Sequence, residues 1–338
     1  MTKTKKLSWG LLSTAHINRR VIPPIQSSKR NKLSAVGSRD EARARQYAQE
    51  WGIPKAYASY EALLEDQEID VIYNSLPNCL HAEWTIKALQ AGKHVLCEKP
   101  MTIRMEEIDA VAEAAQNAGK IVAEAFMYRH HPQTIQVKEM VNAGLIGELR
   151  LVRGAFSFNM LDRPENVRFD QTLGGGCLWD VGCYPVSFTR YLVGAEPIEV
   201  FGMQETNTSG IDIHFIGQLQ FPGQVFGQFD SSFRTAFRTH LEVVGSEGTL
   251  TLIHPFTPGR SEVIKLNREG KIQDISIRAP ELYSGEVEDM ADAILLGKSP
   301  RVSIGDTRSN IKTLLALYQS AMSGQPVPLS SASSFNKQ

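Results

Sequence analysis

Gly92–Met101, Gly-Lys-His-Val-Leu-Cys-Glu-Lys-Pro-Met, is the stretch whose reading decides the fold. Its apolar run His94–Cys97 has the length of a short buried strand and ends in an acid, a base and a proline. Pro100 has no amide hydrogen to give a ladder, so it stops the strand and fixes the turn. In an open parallel sheet, ligands sit outside the carboxyl ends of the strands, where Glu98 and Lys99 would project. Taken alone, the same pair reads equally as a solvated charge pair in a loop. The pattern around it decides.

Outward from this stretch, short apolar runs alternate with helical periodicity. Leu7–Leu12, Leu33–Gly37, Val71–Ser75 and Ile121–Ala125 join His94–Cys97 as strands. Between them, Asp40–Trp51, Tyr60–Glu65, Ala82–Ala91 and Met105–Ala118 carry apolar residues at helical spacing, closed by Gly52, Gly92 and Gly119. Strand, helix, strand at this spacing means right-handed crossovers and a doubly wound parallel sheet. At 338 residues and 42% hydrophobic content the chain exceeds what one core supports, so two domains are expected, 1–126 and 127–338.

The first strand runs into Ser13-Thr14-Ala15-His16-Ile17-Asn18. A dinucleotide-binding turn has glycines here, so that a pyrophosphate can rest on a helix N-terminus. Ser13, Ala15 and Asn18 stand in the glycine places; serine and alanine add little bulk, although an ordinary strand-to-helix turn would read the same. At the tip of the second strand, Ser38 stands where an acid would hold an unphosphorylated ribose, followed by Arg39 and Arg43. That set suits a 2′-phosphate, which a carboxylate would repel, so NADP is favoured with NAD possible. The other reading is a pair of solvated arginines behind Asp40 as the helix's N-terminal acid. After the third strand, Leu76-Pro77-Asn78-Cys79-Leu80-His81 is a loop. Asn78 and His81 could face the cofactor, or Asn78 could cap the next helix.

The second half changes character after Met127-Tyr128-Arg129-His130-His131-Pro132 and a helix over Thr134–Ala143. Glu148–Asn159, Ile198–Gln204, Ile211–Phe221, Gln224–Phe233, Thr239–Gly245, Gly248–Ile253, Glu262–Leu266 and Lys271–Ile277 alternate apolar and polar residues across short turns, which gives a large, mainly antiparallel sheet in an α+β domain. Helices cover at most one of its faces. The other is expected to meet a second subunit, in a homodimer or homotetramer. Within this half, Gly174-Gly175-Gly176 opens a helix by stripping side chains so that backbone can approach a ligand. That helix would carry Asp180 and Tyr184 at i and i+4 on one face. Two amphipathic helices, Tyr283–Leu296 and Ile304–Ser320, are expected around the second domain and the crevice, ahead of a serine-rich tail after Leu329.

The strand with its PNxxH loop, the GKHVLCEKP stretch and the later GGGxLxDxG segment resemble, in this order, the glucose-fructose oxidoreductase, inositol dehydrogenase and rhizopine-catabolism (Gfo/Idh/MocA) family of NAD(P)-dependent sugar oxidoreductases. The likeness covers nearly the whole chain and is nearest the D-xylose dehydrogenase and dimeric dihydrodiol dehydrogenase branch. It implies an N-terminal Rossmann domain and a C-terminal domain that binds substrate and oligomerises. It implies that Lys99 lies between nicotinamide and substrate, with cofactor contacts from Ser13, Thr14, Ala15, His16, Ile17, Ser38, Arg39, Arg43, Leu76, Pro77, Asn78, His81, Glu98, Arg129, Arg168 and Tyr283. Substrate contacts are expected from Phe158, Arg163, Asn166, Trp179, Asp180 and Tyr184. The catalytic set is Lys99, Tyr184 and Asp180, and most of the family has histidine where this chain has Tyr184. A free tyrosine, with a pKa of about 10, is a poor base at neutral pH, but the Lys99 ammonium and the oxidised nicotinamide would favour its phenolate. Either Tyr184 or Lys99 could therefore carry the proton. Asp180 would hold Lys99 or bind a sugar hydroxyl.

Composition narrows the partners. Lys+Arg 36 against Asp+Glu 37 gives a net charge of −1 and no global field suited to nucleic acid or an anionic membrane, which leaves a small molecule. No apolar stretch reaches the roughly 18 residues of a membrane span, and the basic N-terminus has no apolar segment behind it, so the chain reads as cytoplasmic. Cys79, Cys97, Cys177 and Cys183 form no CxxC pair, and adjacent His130 and His131 cannot point one way, so no disulfide or metal site is expected. The expected substrate is a sugar or cyclic polyol, foremost an aldopyranose such as D-xylose oxidised at C1. A cyclic trans-diol, a ketosugar and an anhydrosugar also fit. A cofactor-sensing regulator without activity is the non-enzymatic alternative, which the presence of Lys99, Asp180 and Tyr184 disfavours.

Overall fold

The computed structural model of the chain describes residues 6–329. The serine-rich tail expected after Leu329 lies outside them. The chain forms two compact units: residues up to His130 with Pro280–Arg308, and His131–Ala279 with the residues from Ser309 onward.

The first unit is built on six strands: β1 (Leu7–Leu12), β2 (Asn31–Gly37), β3 (Lys55–Tyr57), β4 (Val71–Asn74), β5 (His94–Glu98) and β6 (Val122–Ala125). All pair in parallel in the order β3-β2-β1-β4-β5-β6, so strand order reverses between β1 and β4. That reversal is where open α/β sheets hold their ligands. The crossovers carry α1 (Asn18–Ser27), α2 (Glu41–Trp51), α3 (Tyr60–Glu65), α4 (Asn78–Gln90) and α5 (Met105–Ala118). Their ends follow local chemistry: the Asp40 carboxylate accepts the Arg43 amide at the start of α2, and Gly52 ends it at φ 63. Helix α4 begins at Asn78, earlier than its apolar periodicity suggested, with Pro77 at the cap position. Asn78 is therefore inside the first turn and does not cap it.

The second unit carries β7 (Leu149–Ser157), β8 (Glu199–Thr206), β9 (Asp212–Phe221), β10 (Val225–Ser232), β11 (Arg238–Gly245), β12 (Gly248–Leu252), β13 (Ser261–Arg268), β14 (Lys271–Arg278) and β15 (Val327–Pro328), with helices α6 (Pro132–Asn142) and α7 (Cys183–Val193). The strands form one sheet in the order β14-β13-β12-β11-β7-β10-β9-β8-β15. Neighbours are antiparallel except β7 and β10, which run parallel from Leu151↔Phe226 to Ser157↔Ser232. The hairpins are as short as the sequence suggests; the parallel pair is possible because α7 and two strands lie between its members. Helix α7 buries Val186, Phe188 and Leu192 over β7 and β10. The outward face is different: Met203, Ile216 and Phe226 are 58%, 45% and 47% exposed, and Met203 pairs directly with Ile216 across β8 and β9.

Helix α8 (Ser284–Leu296) corrects the expected domain boundary. Its Val287, Met290 and Ala291 are buried in the same cluster as Trp9, Leu11, Val71, Tyr73 and Leu96, so this late segment completes the first unit's core instead of packing around the second. The reason is area: three more buried apolar side chains add several kcal/mol at about 25 cal/mol per Å². The chain returns to the second unit within α9 (Ile304–Ser323). All four cysteines are free thiols. Among the described residues no helix is long and apolar enough to cross a membrane, and no group of three or more His, Cys, Asp or Glu side chains is gathered to hold a metal.

Candidate active site

The β1–α1 turn keeps a glycine's backbone without the glycine. Ser13 stands at φ 87, a region that favours glycine and costs another residue of order 1–3 kcal/mol. Side chains hold it there: Asn18 Nδ2 donates to the Ser13 carbonyl at 2.9 Å, the Ala15 amide donates to Ser13 Oγ at 3.2 Å, and Ser13 Oγ lies 3.2 Å from Ser75 Oγ at the end of β4. Thr14, Ala15 and Ile17 are half-buried and His16 is exposed. Helix α1 has no side-chain cap and no acid in its first turn, so its positive end is left for an anion. At the tip of β2, buried Ser38 accepts the Asp40 amide at 3.2 Å, while Arg39 and Arg43 are exposed and, among the described residues, in no ion pair. The Asp40 carboxylate is already engaged by the Arg43 amide. This donor set fits a dinucleotide.

The loops after β4 and β5 are clamped together. His81 is 1% exposed, with Nε2 2.6 Å from the Leu76 carbonyl and Nδ1 2.8 Å from the Pro100 carbonyl. Burial lowers its pKa to about 4. Both ring nitrogens lie against backbone carbonyls, so His81 sits between the two loops and links them. Leu76 is buried and Pro77 half-buried beside it. At the end of β5, Glu98 accepts from the Tyr73 hydroxyl and from the Lys99 amide at 3.3 Å; Lys99 is half-buried, and its bond to Pro100 is cis. Buried Glu124, which sequence reading passed over, anchors this loop by accepting the Met101 amide at 2.8 Å. Arg129 is 3% exposed and pairs with Asp306 at 3.0 Å. Tyr283 is 8% exposed, and burial pushes its phenol well up.

In the second unit the three glycines serve the chain itself. A Cβ on Gly175 would meet the Arg168 carbonyl oxygen at 2.4 Å, and one on Gly176, at φ 129, would meet Asp212 Oδ1 at 2.2 Å. The chain itself therefore excludes a side chain at both positions, by backbone at Gly175 and by the Asp212 and Tyr318 side chains at Gly176. Asp212 is the residue this closure depends on. It is 3% exposed and accepts from the Leu178 amide at 2.7 Å, the Tyr318 hydroxyl at 2.8 Å and Cys177 Sγ at 3.2 Å. Burial raises its pKa to about 6 against these three donors. Its signal in the sequence was an acid between two isoleucines in an alternating strand.

From this stake the chain enters a π-helical turn, Leu178–Gly182, before α7. Asp180 lies in the π turn and Tyr184 in α7, so the α-helical i, i+4 face does not describe the pair. Asp180 Oδ2 accepts from Arg168 Nε at 2.6 Å, and Arg168 Nη1 reaches Asn166 Oδ1 at 3.4 Å. Arg168, expected at the cofactor, is thus bound to a catalytic candidate. Tyr184 is 6% exposed, its ring edge-on to Phe156 at 5.3 Å and 5.8 Å from Phe256. Trp179 is buried against Tyr318 at 5.4 Å, Phe158 packs on Phe233 at 5.5 Å, and Arg163 is exposed.

A doubly wound sheet with an uncapped first helix, a basic β2 tip and a half-buried lysine at the end of β5 defines a two-domain, dinucleotide-dependent oxidoreductase. Residues 8–126 match the model of an oxidoreductase family with an NAD-binding Rossmann fold, and residues 134–251 match the GFO/IDH/MocA C-terminal domain. The chain belongs to the Gfo/Idh/MocA family. It is 37% identical to D-xylose 1-dehydrogenase (NADP(+)) 2 of Haloferax volcanii, over 96% of this chain and 100% of that one. It is 32% identical to trans-1,2-dihydrobenzene-1,2-diol dehydrogenase of Homo sapiens, over 74% of this chain and 75% of the relative. The crystal structure of a 3-ketoreductase from Actinomadura kijaniata, in complex with NADP and TDP-benzene, superposes with a TM-score of 0.88 at 28% identity, covering 94% of this chain and 98% of that one.

Gly176→Ala tests the stake. The added Cβ must displace the Asp212 carboxylate, and we expect a loss of about 2–4 kcal/mol, since a buried acid loses donors and the backbone is strained. Denaturant unfolding reads it, and an unchanged midpoint would remove Asp212 from its organising role.

Proposed function

We propose that this protein transfers a hydride between NADP and a sugar, foremost an aldopyranose such as D-xylose oxidised at C1. The observation that carries the reading is full-length similarity to an NADP-dependent D-xylose dehydrogenase, with Lys99 and Tyr184 in place. When bound, the nicotinamide supplies the hydride acceptor. The protein's own task is the hydroxyl proton. Tyr184 is the general base of this reading, and Lys99 is the alternative carrier of that proton. Asp180, itself held by Arg168, binds a sugar hydroxyl or serves as the counter-charge of Lys99. Arg39 and Arg43 bind the 2′-phosphate, with Ser38 leaving that place free of acid. A second reading, oxidation of a cyclic trans-diol or reduction of a ketosugar, is favoured by the likeness to the diol dehydrogenase and the 3-ketoreductase.

We further propose that the outward sheet face around Met203, Ile216 and Phe226 joins two copies of the chain, because these exposed apolar side chains share one face.

Fluorescence titration distinguishes the cofactors: NADPH should bind more tightly than NADH, and Arg39→Ala with Arg43→Ala should weaken NADPH about 10–100-fold while leaving NADH unchanged. Equal affinities in the parent protein would refute the assignment of the β2 tip. Followed at the reduced nicotinamide's absorbance, turnover on pentoses, hexoses and cyclic diols identifies the substrate class, and Tyr184→Phe should lower kcat about 10²–10⁴-fold at saturating cofactor. Retained turnover would transfer the proton to Lys99. In sedimentation, Ile216→Asp with Phe226→Asp should halve the mass of a dimer; a parent mass of one chain would end the interface proposal.

A further inference from the structure

In the first unit one buried acid has no partner. Glu286, in the first turn of α8, is 1% exposed, and neither of its carboxyl oxygens has a hydrogen bond. A buried carboxylate without donor or cation is far more costly than a protonated one. Burial pushes this carboxyl well above the usual range, and the charges of Glu98, Glu281 and Asp289 add to that, Glu98 foremost. Glu98 is the acid that ends β5, fixed by the Tyr73 hydroxyl and next in the chain to Lys99. Val287, next in the chain to Glu286, is buried in one cluster with Tyr73, whose hydroxyl donates to Glu98, and the charges of both glutamates push the phenols of Tyr73 and Tyr283 up.

Among the described residues, the charged groups packed around Glu286 form no hydrogen bond with it. Helix α8 lies against α1 and the turn Met127–His130. From α1, Arg20 bears on Tyr283. From the turn, Arg129 is held by Asp306, and His130, its pKa lowered to about 3 by burial, is 4.0 Å from Asp289. Asp289 also accepts the Arg301 amide at 2.9 Å. Arg30 is taken by Glu288 and Asp292.

We propose that Glu286 is a positioning residue for the cofactor's charge: the Glu98–Glu286 pair holds one proton and releases it when the oxidised, positively charged nicotinamide binds at the carboxyl ends of β4 and β5. The inference rests on the cofactor reading above. One carboxyl O–H bond breaks, the proton goes to solvent and no electrons move. The doubly ionised pair then faces a cation, whereas the neutral reduced ring offers no such compensation and leaves the proton in place. The pair thereby favours the oxidised form as pH rises.

Calorimetric titration of the full-length protein with NADP⁺ and NADPH, in buffers of different ionisation enthalpy, tests this. NADP⁺ should release up to about one proton per chain and bind up to tenfold more tightly per pH unit, with little release for NADPH. Glu286→Gln should abolish the release and the pH dependence while leaving NADPH affinity unchanged. The infrared difference spectrum of the unaltered protein should lose a protonated-carboxyl band on binding NADP⁺; this readout stands even if the variant fails to fold. Binding of NADP⁺ without proton release or band loss, or full release in Glu286→Gln, overturns the proposal. Binding of neither nucleotide overturns the cofactor reading, and this inference with it.

Discussion

The first unit's ligand-facing loops depend on a single imidazole. The chain leaves β4 and β5 through turns whose carbonyls point inward, and a buried carbonyl without a donor costs about 1–3 kcal/mol. His81 sits between two of them, at 2.6 and 2.8 Å. A neutral imidazole has one N–H, so it can donate to one carbonyl only, while the doubly donating imidazolium is opposed by burial. With the folded pKa near 4, below the usual value near 6.5, the neutral ring is the native form. Its contribution is present above about pH 6.5 and is lost as pH falls toward 4. The turn that follows Lys99 is therefore held through the Pro100 carbonyl by a buried ring from the neighbouring loop.

Why the fold was legible in the sequence follows from burial. Strands covered on both faces read as continuous apolar runs, and β1, β4, β5 and β6 are of that kind. The edge strand Lys55-Ala56-Tyr57 is only three residues, with none of them buried, and left no such signal. Helix α8 showed its apolar stripe but not its owner, because amphipathicity states that a face is buried without stating against which core. The parallel pairing of β7 and β10 was hidden for a related reason: strand alternation fixes faces, not neighbours.

The site was legible by residue type and misleading by mechanism. Three consecutive glycines signal that space is short, and at Gly175 and Gly176 it is short because Arg168 and Asp212 of the same chain come close. Ser13 is the converse, a position whose backbone demands glycine while its side chain is used to lock the turn to Asn18 and β4. The π turn could not be read at all, since its extra residue changes helical phase without changing composition.

Burial also separates what a substitution can change cheaply from what it cannot. The side chains of Arg39 and Arg43 at the β2 tip are exposed and, among the described residues, in no ion pair, so their charge is screened by solvent and removable without disturbing α2, whose cap is Asp40. The groups that orient Asp180 and Tyr184 are of the opposite kind. Asp212 carries the Leu178 amide, the Tyr318 hydroxyl and the Cys177 thiol at once, in a setting where losing any acceptor strands several donors. The charge at the β2 tip is therefore a surface property that a few substitutions can redirect, and the placement of Asp180 and Tyr184 is a core property bound to the stability of the second unit's sheet.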